Sequence, residues 1–198
     1  DHRDLHSFPT RRSSDLLRVD LMLEERVLDL PMREADVAIR MKEPSQADLI
    51  RKRLMSVKMQ VFATQAYLDE NGIPEEPEDV TMHRLICQSV NATQVGASAS
   101  LAQHLLTYDV RSLLTVNNYF GVLQAVLQDL GLGILPDYVS LSEERLIRVL
   151  PQIESADVPV FLAYPEELRQ SKRIAAFRDF VQEEIMAYRK GLKQKQIV

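Results

Sequence analysis

The chain has 198 residues, enough for one large or two small domains, and its hydrophobic content of 45% is typical of a globular protein. Its 24 Lys and Arg against 29 Asp and Glu give a formal net charge of −5, so it has no overall positive field to hold a nucleic-acid backbone. The single cysteine, Cys87, excludes an internal disulfide and fits a reducing cytoplasm. No apolar run approaches the roughly 20 residues that cross a bilayer, so we expect a soluble, cytoplasmic chain without a membrane partner.

Asp1–Leu16 differs in character from the rest of the chain. Its sequence, DHRDLHSFPTRRSSDL, has no apolar period and does not lead into the pattern that begins at Leu17. Over its whole length the segment is similar to the translation of a widely used sequencing adapter, with a basic arm or a targeting peptide as the alternatives. We therefore expect residues 1–16 to be non-native and the natural start of the chain to be missing, and we exclude them from the fold.

Hydrophobic patterns predict four strands and a short helix in the first part of the chain. Leu17–Glu24 alternates apolar and polar residues, as a strand with one buried face does. Asp36–Arg40 has an apolar centre, which is typical of a buried parallel strand. Leu49–Val57 and Met59–Thr64 are further predicted strands, and a helix at Tyr67–Gly72 is closed by its glycine.

Later elements are predicted on either side of a central unit. Three further strands are expected, at Arg84–Gln88, Leu146–Leu150 and Val158–Ala163. The last two are expected to be neighbours in one sheet. Ala92–Thr107 is expected to be a loop and then a helix, because only its second half has leucines at helical spacing. A long helix with one apolar face begins after Ser171 and gives way to a frayed basic tail at Lys190–Lys195.

The central unit, Thr115–Val139, is the best-specified stretch of the sequence. Asn117 and Asn118 follow a short strand as helix-capping residues, and apolar residues then recur at helical spacing. Gly131 is at the position where a residue with left-handed backbone commonly ends a helix. A second strand ends at Pro136. The pattern predicts a β-α-β unit with parallel strands.

This unit also provides the first candidate site. Ligands of parallel sheets lie beyond the carboxyl ends of the strands, close to helix N-termini, which directs attention to Asn117, Asn118 and Tyr119. The alternative is that the two asparagines only cap the helix, because a cap stabilises by about 1 kcal/mol and needs no ligand.

Other features argue against catalysis. Cys87 lies in an apolar strand and is expected to be inert core, while His83 and His104 belong to no ligand-spaced cluster. The run Gly131-Leu132-Gly133 lacks the third glycine of a dinucleotide fingerprint. Since the sequence contains no recognisable nucleophile with its base and no phosphate loop, we expect no enzyme, no metal and no cofactor.

Five segments between Asp29 and Val181 carry a family resemblance. They are DLPMREADVAIRM, RKRLMSVKMQVFATQAYLDENGIPEEPEDVTMHRLI, LTVNNYFGVLQAVLQDLGLGILPDYV, LIRVLP and VFLAYPEELRQSKRIAAFRDFV. Through these segments, in this order, the chain resembles the effector-binding (substrate-binding) domain of LysR-type transcriptional regulators. Residues 87–113 are the one long stretch without a clear motif.

The resemblance implies an α/β fold with two subdomains of periplasmic-binding-protein type. Two crossover strands would join them, near Val61–Ala63 and Ile134–Pro136. Subdomain I is then expected at residues 17–59 and 137–198, without its first βα unit, and subdomain II at residues 60–136. A DNA-binding helix-turn-helix would precede these residues in a family member, so DNA is expected to be a partner only of the parent protein.

The resemblance also implies a function. The domain would bind a small polar or anionic effector in the cleft between the subdomains and would form homo-oligomers. Effector binding would modulate DNA binding by the absent helix-turn-helix domain. The central helix, Tyr119–Leu130, is one candidate for the contact between subunits. A solute-binding receptor of the same architecture is the alternative function.

Further effector contacts are expected near the crossover strands. Thr64 and Gln65 follow one of them and offer a hydroxyl and an amide, although such residues are common in any turn. Arg40 ends a buried strand, where its planar fork fits a carboxylate effector or a structural partner among Asp36, Glu43 and Asp48. The full set of expected effector-binding residues is Thr64, Gln65, Asn117, Asn118, Tyr119, Arg40 and Pro136.

Overall fold

The structure is a computed structural model that describes residues 17–24, 27–89 and 96–195, where two β-sheets are flanked by helices. The strands are β1 Ala38–Arg40, β2 Leu49–Val57, β3 Met59–Thr64, β4 Arg84–Gln88, β5 Arg111–Val116, β6 Leu132–Pro136, β7 Leu146–Glu154 and β8 Val158–Pro165. The helices are α1 Gln65–Asn71, α2 Gly96–Leu106, α3 Tyr119–Leu127, α4 Val139–Ser142 and α5 Lys172–Lys195, with 3-10 turns at Pro77–Met82 and Glu166–Leu168. The segment expected to be non-native, residues 1–16, lies outside the described residues. So do residues 92–95 of the loop expected in the first half of Ala92–Thr107, and α2 begins within that half, at Gly96.

The larger sheet has five strands in the order β5-β4-β6-β3-β7. β4 is parallel to both β5 and β6, whereas β3 is antiparallel to β6 and to β7. The predicted β-α-β unit around α3 is therefore confirmed, with β4 lying between its two parallel strands. Since β4, β5 and β6 run in one direction, their carboxyl ends lie at the same edge of the sheet, and the carboxyl end of β3 lies at the opposite edge.

The smaller sheet has three antiparallel strands in the order β1-β8-β2. Two predictions are wrong here. Asp36–Arg40 was expected to be a parallel strand, but β1 runs antiparallel to β8. The segments beginning at Leu146 and Val158 were expected to be neighbours, but β7 pairs with β3 and β8 pairs with β1 and β2.

The separation of β7 from β8 has a packing reason. The buried side chains of β7, which include Val149 and Leu150, complete the apolar clusters of the larger sheet. β8 contributes Val158 and Val160 to one of these clusters, but its Leu162 and Tyr164 form a separate cluster with Ile174 of α5. Closeness along the chain is therefore outweighed by the surfaces that each strand buries. The subdomain boundaries expected at residues 59/60 and 136/137 stay a prediction. The pairing of β7 with β3 places β7 in the larger sheet.

The segment Leu17–Glu24 forms no regular secondary structure. Val19, Leu21 and Leu23, which were expected to share a buried face, are 59%, 77% and 55% exposed. The predicted strand is therefore wrong. Alternation alone does not form a strand, because each strand needs a neighbour for its backbone hydrogen bonds and for its apolar face.

The core of the larger sheet is divided by the alternation of its strands. Val61 and Ala63 of β3 pack with Leu105 of α2 on one face, while Phe62 packs with Val126 of α3 on the other. Successive residues of a strand point to opposite faces, so one apolar strand supports a helix layer on each side. Cys87 is part of the cluster on the α2 face, as expected of a core cysteine.

Two glycines allow neighbouring elements to pack closely, Gly133 against α3 and Gly131 against β4. A Cβ atom at Gly133 would lie 2.4 Å from Cγ2 of Val126, and one at Gly131 would lie 2.3 Å from the carbonyl oxygen of Arg84. Helix α3 ends at Leu127, and the left-handed residue that follows it is Asp129, with φ of 58°. The prediction that Gly131 is the left-handed residue is therefore wrong, because Gly131 is needed for close approach instead.

The C-terminal helix is longer than predicted. α5 runs from Lys172 to Lys195, so the basic tail expected to be frayed is helical. The expected cap is present, because the hydroxyl of Ser171 accepts from the N–H of Ile174 at 3.5 Å. Among the described residues, no helix combines the length and apolar content needed to cross a bilayer.

Candidate functional site

The carboxyl ends of three parallel strands converge on the N-terminus of α3. β4 ends at Gln88 and β6 at Pro136, while β5 leads through Asn117 and Asn118 into α3, which begins at Tyr119. We call these five residues the strand-end site. The chain leaving β4 is held to β5, because Ser89 donates its N–H to the carbonyl oxygen of Val116 at 2.8 Å. The structure thus brings together Asn117, Asn118, Tyr119 and Pro136 of the residues predicted from the sequence.

Asn118 is the N-cap of α3, as predicted. Its backbone is extended, and its Oδ1 accepts from the N–H of Gly121 at 2.9 Å. Its Nδ2 donates to Oδ1 of Asn117 at 3.1 Å, which fixes the orientation of both amides. The N–H groups of the next two residues, Tyr119 and Phe120, precede the first intrahelical bonds, and no partner for them lies within the described part of the chain. Those groups remain free to bind a ligand at the positive end of the helix dipole.

Gln88 was missed by the sequence analysis. Its side chain is 7% exposed, and its Nε2 donates to the carbonyl oxygen of Asn117 at 3.4 Å. Its Oε1 is buried and has no hydrogen-bond partner within the described residues. The sequence offered one signal, since a glutamine closes an otherwise apolar strand, but only the pairing of β4 with β5 places it beside Asn117.

Three tyrosines, which we call the tyrosine cluster, connect the strand-end site to α5. The ring of Tyr138 meets that of Tyr119 edge to face at 6.4 Å between centroids and that of Tyr188 at 6.0 Å. The Tyr188 hydroxyl donates to the carbonyl oxygen of Tyr138 at 2.5 Å. Burial, with the neighbouring rings, raises the pKa of Tyr138, so its hydroxyl stays protonated. The start of α3 is therefore packed against α5 through the residue that follows the end of β6 by two positions.

Thr64 and Gln65 lie at the opposite edge of the sheet. Thr64 is buried and caps α1 by accepting from the N–H of Tyr67 at 3.2 Å, and its hydroxyl bonds to the carboxylate of Asp129, beyond the C-terminal end of α3. Gln65 bonds to Asp69 at the surface. Because β3 is antiparallel to β6, the residues that end these strands are separated by the length of the sheet. The structure does not bring Thr64 and Gln65 to the strand-end site, and their contact with an effector stays a prediction.

Arg40 lies in the smaller sheet. It is 5% exposed, and its Nη2 donates to the carbonyl oxygen of Leu28 at 2.5 Å. Burial lowers its pKa, an effect opposed by the charge of Asp29. Of the carboxylates expected as structural partners, Glu43 instead lies 3.8 Å from Arg51. Arg40 lines a small cavity of about 110 Å³ and supports the chain that precedes β1.

A larger cavity, of about 490 Å³, lies between α2 and the end of β7. Glu154 lines it and bonds to Lys58, to Nε2 of Gln60 at 3.2 Å and to Nη2 of Arg148 at 3.0 Å. The hydrogen bond from Lys58 holds the pKa of Glu154 below its usual range. The carboxylate is thus neutralised by its own neighbours, and the register Gln60 to Glu154 places the cavity at the same sheet edge as the strand-end site. Among the described residues, no group of three or more His, Cys, Asp and Glu is arranged to hold a metal ion.

An α/β sheet whose parallel strands end at a helix N-terminus with unpaired N–H groups is the architecture of a small-molecule-binding domain. The family model of the LysR substrate binding domain matches residues 11–186, and the chain belongs to this family.

HTH-type transcriptional regulators are among its relatives. The chain is 29% identical over 181 residues to the probable HTH-type transcriptional regulator LtrA of Klebsiella pneumoniae, covering 87% of this chain and 58% of that protein. It is 22% identical over 152 residues to an uncharacterised HTH-type transcriptional regulator of Haemophilus influenzae, covering 75% of this chain and 53% of that one. The chain therefore spans little more than half the length of these relatives.

Solved structures of the family have the same fold. The regulatory domain of CrgA from Neisseria meningitidis, a LysR-type transcriptional regulator, matches with a TM-score of 0.61 at 20% identity, over 79% of this chain and 78% of that one. The effector domain of AmpR from Pseudomonas aeruginosa matches with a TM-score of 0.60 at 16% identity, over 85% and 81%. The predicted α/β fold with two subdomains of periplasmic-binding-protein type is thereby confirmed.

Proposed function

We propose that this chain is the effector-sensing and oligomerisation domain of a LysR-type transcriptional regulator. A small polar or anionic ligand binds at the strand-end site and changes DNA binding by a helix-turn-helix domain of the parent protein. The names of the relatives, which are transcriptional regulators, favour this function over a solute-binding receptor and over an enzyme.

The observation that carries the proposal is the N-terminus of α3. It presents the N–H groups of Tyr119 and Phe120 at the edge where three parallel strands end, and Nδ2 of Asn117 is an additional donor. The helix dipole favours a negative charge there by about 0.3 to 1 kcal/mol at an exposed position and by more where water is excluded. A carboxylate, or another group rich in acceptors, matches this set of donors.

A ligand at this position has a route to α5. Tyr119 is both the first residue of α3 and a member of the tyrosine cluster, whose other end, Tyr188, is on α5. A ligand that moves Tyr119 changes its contact with Tyr138 and hence the packing of α5. The coupling needs the ligand to favour one arrangement of the cluster over another.

Oligomerisation is proposed through apolar side chains that the described fold leaves exposed. Phe180 and Met186 of α5 are 43% and 56% exposed. Most of the apolar stripe of α3, including Val122 and Val126, is buried against its own sheet, which leaves Phe120, 50% exposed, as the contact that α3 offers. Sedimentation of the parent at micromolar concentration tests the proposal, and a monomer there contradicts it.

The effector function is tested on the parent protein. A panel of small carboxylates is screened by thermal shift, and those that bind are titrated into the complex of the parent with its own promoter DNA. We expect at least one acid to bind and to alter DNA affinity. If no acid binds at millimolar concentration, or if bound acids leave DNA affinity unchanged, the proposal fails.

A further inference from the structure

Gln88 is buried with one half of its amide paired and the other half unpaired. The side chain is 7% exposed, Nε2 bonds to the carbonyl oxygen of Asn117, and Oε1 has no partner within the described residues. A buried acceptor without a partner is unfavourable, so natural folds rarely contain one without a reason. At Gln88 the cost falls at the end of a strand, beside the free N–H groups of α3.

The bond to Asn117 fixes which atom of the Gln88 amide remains unpaired. The partner of Gln88 at 3.4 Å is a carbonyl oxygen, which only accepts, so the atom next to it must be the NH₂ group. Exchanging the two ends of the amide would place two acceptors against each other. Oε1 is therefore the unpaired end, and it accepts a hydrogen bond but cannot donate one.

The strand-end site thus has two parts of opposite character. The first turn of α3 offers donors, from Tyr119 and Phe120, and suits a carboxylate. Oε1 of Gln88 requires a donor from the ligand. A plain carboxylate, sulfate or fully ionised phosphate satisfies the first part and leaves the second unpaired.

Resting on the proposed effector site, we infer that the effector is a carboxylate with an adjacent hydroxyl or amino group, as in a 2-hydroxy or 2-amino acid. Its carboxylate lies on the N-terminus of α3, and its hydroxyl or amino group donates to Oε1 of Gln88. The acid without that group leaves a buried acceptor unpaired, which lowers its affinity by about tenfold.

The test uses matched pairs of acids that differ by one hydroxyl group: lactate with propionate, and mandelate with phenylacetate. Each is titrated by calorimetry or ligand-observed NMR into the full chain and into its Gln88→Met variant. Methionine is similar in shape to glutamine but has no strong acceptor. Gln124→Met is the matched control, because Gln124 is exposed on α3 away from its N-terminus. Thermal unfolding without ligand shows whether each variant is folded.

We expect the wild type and Gln124→Met to prefer the hydroxy acid of a pair by about tenfold. Gln88→Met should bind both acids of the pair equally, and it should bind the acid that lacks the hydroxyl with the wild-type affinity. Equal binding of the two acids by the wild type overturns this inference and leaves the proposed site intact. Preference for the hydroxy acid that survives in a folded Gln88→Met also overturns it. If no acid of either pair binds the full chain, the inference and the anion site on which it rests both fall. If Gln88→Met does not fold, Gln88→Glu, which keeps an acceptor oxygen but loses the bond to Asn117, takes its place and is expected to bind both acids more weakly.

Discussion

The cap of α3 allows its structural role to be separated from a role in binding. Oδ1 of Asn118 accepts from the N–H of Gly121, and the same residue belongs to the strand-end site. Asn118→Asp keeps the accepting oxygen, loses the exposed hydrogen bond to Oδ1 of Asn117, and places a negative charge where we propose that an anion binds. Asn118→Ala removes the accepting oxygen and adds no charge.

The two substitutions are expected to have different effects on stability. The lost cap of Asn118→Ala costs about 1 kcal/mol, or about 2 to 4 °C in Tm for a domain of this size. Asn118→Asp leaves Tm unchanged or raises it, because aspartate is an equally good cap and favours the helix dipole by about 0.3 to 1 kcal/mol. A bound carboxylate, however, meets this new charge at close range, at a cost of about 1 kcal/mol in water and up to about 4 kcal/mol in a partly excluded site. Each 1.4 kcal/mol corresponds to about tenfold in affinity.

The assay is calorimetric titration of the full chain with the carboxylate that binds it best, together with thermal unfolding without ligand. Gln124→Glu is the control, since it adds the same charge to an exposed position of α3. We expect Asn118→Asp to lose about tenfold or more in affinity at unchanged Tm, and Gln124→Glu to bind as the wild type does. Wild-type affinity in Asn118→Asp would refute the assignment of the anion to this helix end.

Three further predictions concern stability. Gly133→Ala is expected to lower the free energy of unfolding by about 1 to 3 kcal/mol, because its Cβ would lie 2.4 Å from Val126. Val126→Ala in the same chain should recover part of this loss in urea titrations, and no recovery would contradict the packing argument. Burial lowers the pKa of His83 below its unfolded value, so its contribution to stability is present above about pH 6.5 and is lost as the pH falls below that value. His83→Gln should make the urea midpoint fall less between about pH 7 and pH 5, and an equally steep fall would show that His83 is not responsible. Tyr188→Phe removes the hydrogen bond to the carbonyl oxygen of Tyr138 and is expected to lower the free energy of unfolding by about 0.5 to 1.5 kcal/mol. Hydrogen exchange in the last turns of α5 should become faster, and unchanged exchange would mean that the tyrosine cluster does not hold this helix.

Much of the local structure is predictable because its signals lie within a few residues of one another. β2 and β3 have the predicted bounds, α1 closes at Gly72 with φ of 85°, and Asn118 caps α3. A cap, a left-handed glycine and an apolar stripe each act over one or two turns of chain. The sequence therefore determined most of the segments that are strands and helices, and it located the helix end at the centre of the candidate site.

The partners of these elements were decided by the tertiary structure. Thr64 and Pro136 each end a strand beside the other, and only the antiparallel pairing of β3 with β6 shows that they lie at opposite edges of the sheet. Gln88 becomes part of the site because β4 is inserted between β5 and β6, and the pattern Leu17–Glu24 forms no strand because it has no neighbour. Strand pairing depends on the surfaces that distant segments bury together, and such surfaces have no signature within the few residues that a local pattern spans.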